Sequence, residues 1–105
     1  MPGQPRTYPA NRTHVVSAGT GSTARVAVAG NIRQVTLYAT AAALFAVGDA
    51  DTDVENTGAL RGAPLAAGTY LDVPVPDPEK RYICLRSEAG APTVYVTERG
   101  AAVGP

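Results

Sequence analysis

The sequence has no tryptophan, one cysteine, one histidine, one methionine and one phenylalanine in 105 residues. With a single cysteine, Cys84, no internal disulfide can form. Secreted domains of this size often carry several, so the expected site of folding is a reducing cytoplasm. One histidine and one cysteine cannot build a zinc site of the usual kind. Net charge is also missing, because nine basic side chains balance nine acidic ones. Such a chain has no global field to attract DNA, RNA or anionic lipid, so neither nucleic acid nor a membrane is expected as a partner. No apolar run approaches the ~20 residues of a membrane helix. The opening MPGQPRTYPANRTHVV lacks an apolar h-region and is not expected to be a signal peptide.

The motifs of catalysis are equally sparse. A Ser or Cys triad would need His14, which lies in a short strand-like run. There is no GxSxG elbow and no pattern marking Cys84 as an activated thiol, so Cys84 is expected to pack in a strand between Ile83 and Leu85. Gly19-Thr20-Gly21-Ser22 could suit a phosphate, but it lacks the P-loop lysine and no helix follows, so a turn is expected. In DADTDVENTGAL, Asp49, Asp51 and Asp53 match the first three ligand positions of a calcium loop. Val54 stands where the sharp-turn glycine belongs and Leu60 where the bidentate glutamate belongs, so residues 49–58 are expected to be a solvated acidic loop. Arg25 and Arg33, or Lys80 and Arg81, could meet phosphates, but with acids equally frequent they read as single charged rims. Asn11-Arg12-Thr13 is a glycosylation sequon that has no meaning without secretion. No catalytic residue, cofactor or metal is expected, and the chain is not expected to be an enzyme.

What is present is a ladder of short strands. IRQVTLYA, ALFAVG, TYLDVPV, KRYICLR and TVYVTE carry β-branched or aromatic residues in period-two alternation, separated by Gly, Pro and Asp turns. Two shorter strands are expected at residues 13–17 and 23–29. The fold class is therefore all-β: a single antiparallel β-sandwich or barrel of about seven to eight short strands. Alternation points Leu37, Val73, Ile83 and Val96 to the core, and Tyr38, Tyr70 and Tyr95 to the opposite faces of their strands. Leu71 and Val75 share a face with Val73, and Tyr82, Cys84 and Arg86 oppose Ile83 and Leu85. Pro74 and Pro76 lack N–H donors, which marks an edge strand. Thr40-Ala41-Ala42 reads as a hairpin bend with residues 44–47 returning; a helix of one or two turns is the competing expectation, since alanine favours helix. Residues 49–67 read as irregular, with Leu60 and Leu65 as plugs into the core. Ala and Val dominate the apolar residues, so the core is expected to be thin and association is a plausible supplement.

Three segments result: an extended N-terminal arm, residues 1–12; a β-domain, residues 13–98; and a flexible C-terminal tail, residues 99–105. Pro2, Pro5 and Pro9 disfavour both helix and ladder pairing in the arm. Either the arm frays, or it orders on a neighbouring subunit. In the second case Arg6, Tyr8, Pro9 and Arg12 are the interface candidates, with Tyr8 as anchor.

From residue 8 to residue 98 the chain resembles small β-rich virion proteins of tailed double-stranded DNA bacteriophages. The resemblance is carried by the TYPAN arm, then VTLYATAAALFAVG, PLAAGTYLDVPVP and RYICLRSEAGAPTVYVTE, the last read as a closing hairpin. The acidic loop at residues 49–58 departs from the tightest versions of the pattern. The resemblance implies a capsid decoration (cement) protein on the outer surface of a phage head. Its partners would be the major capsid protein and further copies of itself, with a homotrimer as the expected size. Its location would be the virion, after synthesis in the bacterial cytoplasm. The alternatives are a head–tail connector, a tail or fibre component, or a carbohydrate- or host-binding β module. The last would need exposed aromatic residues in a groove, and a chain with no tryptophan and only five tyrosines is poorly supplied with them.

Overall fold

The structure, a computed structural model, describes residues 12–58 and 61–99. Among them are eight strands and no helix: β1 (Arg12–Ser17), β2 (Ala24–Ala27), β3 (Gln34–Ala39), β4 (Ala43–Gly48), β5 (Ala63–Leu65), β6 (Leu71–Pro74), β7 (Tyr82–Arg86) and β8 (Thr93–Arg99). Two four-stranded antiparallel sheets form, with orders β1-β8-β3-β6 and β2-β7-β4-β5. The all-β expectation holds, and of the two architectures it left open the molecule adopts the sandwich.

The pairing has a simple logic. β1 pairs with β8, β2 with β7, β3 with β6 and β4 with β5. Arg12 faces Glu98, Ala24 faces Leu85, Gln34 faces Pro74 and Ala43 faces Leu65, so the register hardly drifts. The chain is thus one long two-stranded ribbon with residues 49–62 at its tip. Rolled up, the ribbon adds the β3–β8 and β4–β7 pairs and closes into two sheets. This winding is the jelly-roll topology.

Rolling explains why two expected hairpins are not hairpins. β4 does not return beside β3; it lies in the other sheet, beside β5 and β7. Residues 40–42 are the bend where the chain crosses between sheets. A tight two-residue hairpin needs residues at positive φ, and among described residues only Gly58, Gly68 and Gly90 have it. Residues 87–92 likewise carry the chain from β7 in one sheet to β8 in the other, so the last two strands form no hairpin. Residues 43–48 are strand throughout, and the helical alternative is not adopted.

Side-chain alternation within strands is as expected. Leu37, Ile83 and Val96 are fully buried and Val73 nearly so, in a core shared with Val35, Val75, Leu85 and Val94. β6 is an edge strand, with Pro74 opposite Gln34. Leu71 shares the inward parity of Val73 but remains over a third exposed, because β6 has no further strand to cover it. β5 lies within the region expected to be irregular; Leu65 is its buried residue, and Leu60 lies outside the described residues. Arg12 and Arg99 are the first residue of β1 and the last of β8, so each strand runs one residue beyond the expected domain limits.

Residues 49–58 keep Asp49, Asp51, Asp53 and Glu55 exposed, as expected of a solvated acidic loop, but the loop also lays Val54 on the outer face of the β2-β7-β4-β5 sheet. Val54 is 1% exposed and forms a second, small core with Leu44 and Cys84, against which Ala46 and Tyr82 pack. Ile83, Cys84 and Leu85 are therefore all buried, although alternation points only two of them inward. Arg25 holds the loop through the Thr52 carbonyl (2.9 Å) and the Asp53 carboxylate (2.6 Å). Asn56 donates to the carbonyls of Thr20 and Ser87, and Arg86 to that of Val54. Gly62 is required by this closure, since a Cβ there would lie 2.5 Å from the Val54 side chain.

Candidate functional site

Among the described residues no loop covers the outer face of the β1-β8-β3-β6 sheet. Strand parity points Val15, Tyr95 and Tyr38 outward, and register places them side by side: Val15 opposite Tyr95, and Tyr95 opposite Tyr38. Tyr70, just before β6, completes the row. Its ring centroid is 4.7 Å from that of Tyr38 with the planes tilted by 40°. The Tyr38 and Tyr95 rings are 6.2 Å apart and tilted by 51°. Tyr70 is 74% and Val15 66% exposed, so the row crosses all four strands in contact with water.

A polar row runs beside the aromatic one. Thr13 is opposite Thr97, Thr97 opposite Thr36, and Thr36 opposite Asp72. The hydroxyls of Thr13 and Thr97 lie 3.0 Å apart. Thr36 donates to Asp72 Oδ1 at 2.6 Å and accepts from Arg99 at 3.4 Å. Between the rows is an open groove of about 370 Å³ lined by Thr13, Tyr38, Tyr70, Tyr95 and Thr97. Aromatic rings and hydroxyls line it, and among the described residues no charged side chain does. Such a surface can stack on apolar faces and exchange hydrogen bonds at their rim.

The other polar cluster lies on the inward side of the same sheet. Glu98 is 2% exposed. Its carboxylate accepts two hydrogen bonds from Arg12 (2.9 and 3.1 Å), one from His14 Nε2 (2.5 Å) and one from the Ala29 N–H (3.2 Å). An ionised carboxylate only accepts, so the His14 nitrogen facing it carries the proton. Burial raises the Glu98 pKa, but the hydrogen bonds from His14, Arg12 and Ala29 outweigh it and hold the carboxyl below its usual value. This cluster ties the start of β1 to the end of β8 and to the loop after β2.

Other residues singled out in the sequence are used structurally. Arg81 donates to the carbonyls of Val75 (2.6 Å), Ala29 (2.5 Å) and Ile32, clamping two loops, and is not free for phosphate. Arg33 bonds the Gly30 carbonyl. The Gly19 carbonyl, in its turn, accepts from the N–H of Ser87, just after β7. Asp49 accepts from the Asp51 N–H and the Thr52 hydroxyl, which lower its pKa, while Asp53 pairs with Arg25. These acids serve the loop's own turn and its anchor. Among the described residues no group of three or more His, Cys, Asp or Glu side chains is placed to hold a metal ion. Burial pushes the Cys84 thiol up. Of the interface candidates, Arg6, Tyr8 and Pro9 lie outside the described residues, and Arg12 is engaged by Glu98 of its own chain.

The tyrosine face was only half visible beforehand. Alternation put Tyr38, Tyr70 and Tyr95 outward on three separate strands. Nothing local said that those strands share one sheet. Compared with family models, curated proteins and solved structures, the chain has no significant match to any.

Proposed function

We propose that the chain is a structural virion protein, a decoration subunit that binds the outer surface of a phage head. One observation carries the reading. β1 begins and β8 ends at the same end of the same sheet, with Arg12 opposite Glu98. A subunit attached through residues 1–11 would therefore be held at one end, leaving its opposite loops and its tyrosine face to project. The jelly-roll topology agrees by analogy, since it recurs in capsid and lectin domains, though a fold does not by itself imply a function. Zero net charge suits close packing of many copies, because none repels the next. The action would be purely associative, with modest contacts multiplied over a lattice.

Quantitative mass spectrometry of purified particles tests this reading. The expected result is a copy number in the hundreds, matching the order of major capsid protein copies. A few copies per particle would indicate a connector, tail or fibre position. Absence from particles would refute the virion reading. Deleting residues 2–11, and sparing Arg12 because it pairs with Glu98, should leave the sandwich folded and lower the occupancy of particles.

A further inference from the structure

We propose that the groove between Tyr38, Tyr70, Tyr95, Thr13 and Thr97 binds a neutral sugar chain. A pyranose ring has an apolar face of C–H groups and a rim of hydroxyls. The groove offers the complement of each: three phenol rings set at 40° and 51° to one another, and a hydroxyl pair along one side. One of the two threonine hydroxyls donates to the other, which leaves one hydroxyl hydrogen and several lone pairs for a ligand. The tyrosine hydroxyls add further donors and acceptors.

Charge decides the ligand class. Among the described residues no ammonium, guanidinium or carboxylate lines the groove. Asp72 and Arg99, which bond the Thr36 hydroxyl in the polar row, are not among the residues lining the groove. A phosphate or uronate would lose hydration there without gaining a counter-charge, whereas a neutral polyhydroxyl ligand would lose little. The volume of about 370 Å³ lies near the small end of the ~300–1,000 Å³ typical of ligand sites, which suits a short stretch of a longer chain. The lining comes from β1, β3, β8 and the residue preceding β6, so little ordering is required on binding.

The absence of tryptophan makes the test direct, because tyrosine emission is not masked. The full chain is titrated with neutral tetrasaccharides of glucose, galactose and mannose, and with a tetrasaccharide of uronic acid. Fluorescence and backbone amide NMR shifts are followed. The expected result is saturable binding of at least one neutral sugar, with shifts centred on Thr13, Tyr38, Tyr70, Tyr95 and Thr97 and weaker binding of the uronate. Tyr70→Ala should raise Kd at least tenfold, about 1.4 kcal/mol, with an unchanged melting temperature. Tyr95→Ala provides a second variant, and Tyr82→Phe, on the covered face, should bind like wild type.

The proposal is overturned if no neutral sugar shifts these residues, if the shifts centre elsewhere, or if Tyr70→Ala and Tyr95→Ala both bind normally. It is also overturned if the face instead drives concentration-dependent self-association that Tyr70→Ala abolishes; the groove would then belong to a second copy of the chain. The virion reading stands or falls separately. A particle-borne protein that ignores sugars refutes only the groove, and a sugar-binding protein absent from particles refutes only the virion assignment.

Discussion

The two sheets have similar inward faces and different outward ones. On the β2-β7-β4-β5 sheet the outward residues Leu44, Ala46, Tyr82 and Cys84 lie under the tip of the ribbon, sealed by Val54. On the β1-β8-β3-β6 sheet the outward residues Val15, Tyr38, Tyr70 and Tyr95 meet solvent. Both sheets therefore carry apolar groups on the outside, and among the described residues only one of them is covered by a loop. The difference teaches how to read exposed hydrophobes in a small sandwich. Where a loop is laid down on a face, as residues 52–56 are, that face belongs to the fold. Where aromatic residues stay open to water across four strands, the face is available to a ligand or partner.

The first test establishes the baseline, the interior that the sheets share. Leu37→Ala from one sheet and Ile83→Ala from the other should each cost about 2–5 kcal/mol in urea denaturation, because both side chains are fully buried. If either cost less than half a kcal/mol, that strand would have its parity reversed.

Glu98 breaks the apolar pattern of the inward face, and its removal comes next in size. Glu98→Gln removes the charge that Arg12 and His14 hold, and should cost about 3 kcal/mol near neutral pH. The sign of the pH effect follows from the lowered carboxyl pKa. The native state keeps Glu98 ionised more readily than the unfolded chain does. Its contribution is complete above the unfolded value near 4.5 and is lost as pH falls through the lower native value. Melting temperature against pH should thus fall less steeply below pH ~4.5 in Glu98→Gln than in wild type. Identical acid limbs would show that Glu98 is not held as described.

The covered outer face comes third. Val54→Ala removes two buried methyl groups and should cost about 2 kcal/mol. It should also speed thiol labelling of Cys84 under native conditions, since Val54 and Cys84 belong to one cluster. Gly62→Ala should act the same way, by placing a Cβ against Val54. Labelling as slow in both variants as in wild type would mean that the loop does not shield the thiol.

The smallest effect is expected on the bare face. Tyr70→Ala should change stability by less than about 0.5 kcal/mol, because three quarters of the residue is already in water. A cost near that of Val54→Ala would erase the contrast between the two faces and make Tyr70 part of the fold.

The sequence by itself determined seven of the eight strands and their parity; β5, inside the stretch read as irregular, was not among them. Period-two alternation is a local property, so Leu37, Val73, Ile83 and Val96 could be pointed inward, and Tyr38, Tyr70 and Tyr95 outward, with no knowledge of their neighbours. Pro74 similarly marked β6 as an edge through its missing donor. Parity does not name a partner, however, and partners here lie far apart: Arg12 meets Glu98 across 86 positions. The entropy of closing a loop grows only logarithmically with its length, so nothing local favours the nearest strand over a distant one. For that reason the bends at 40–42 and 87–92 looked like hairpins and are crossings between sheets. Packing of Cys84 was expected from its place in a strand, but only the tertiary structure decided what covers it, Val54 from the tip of the ribbon. Only the tertiary structure decided, too, that three outward tyrosines from three strands form one groove. Each strand fixes the direction of its own side chains, and the rolling of the whole ribbon fixes which of them meet.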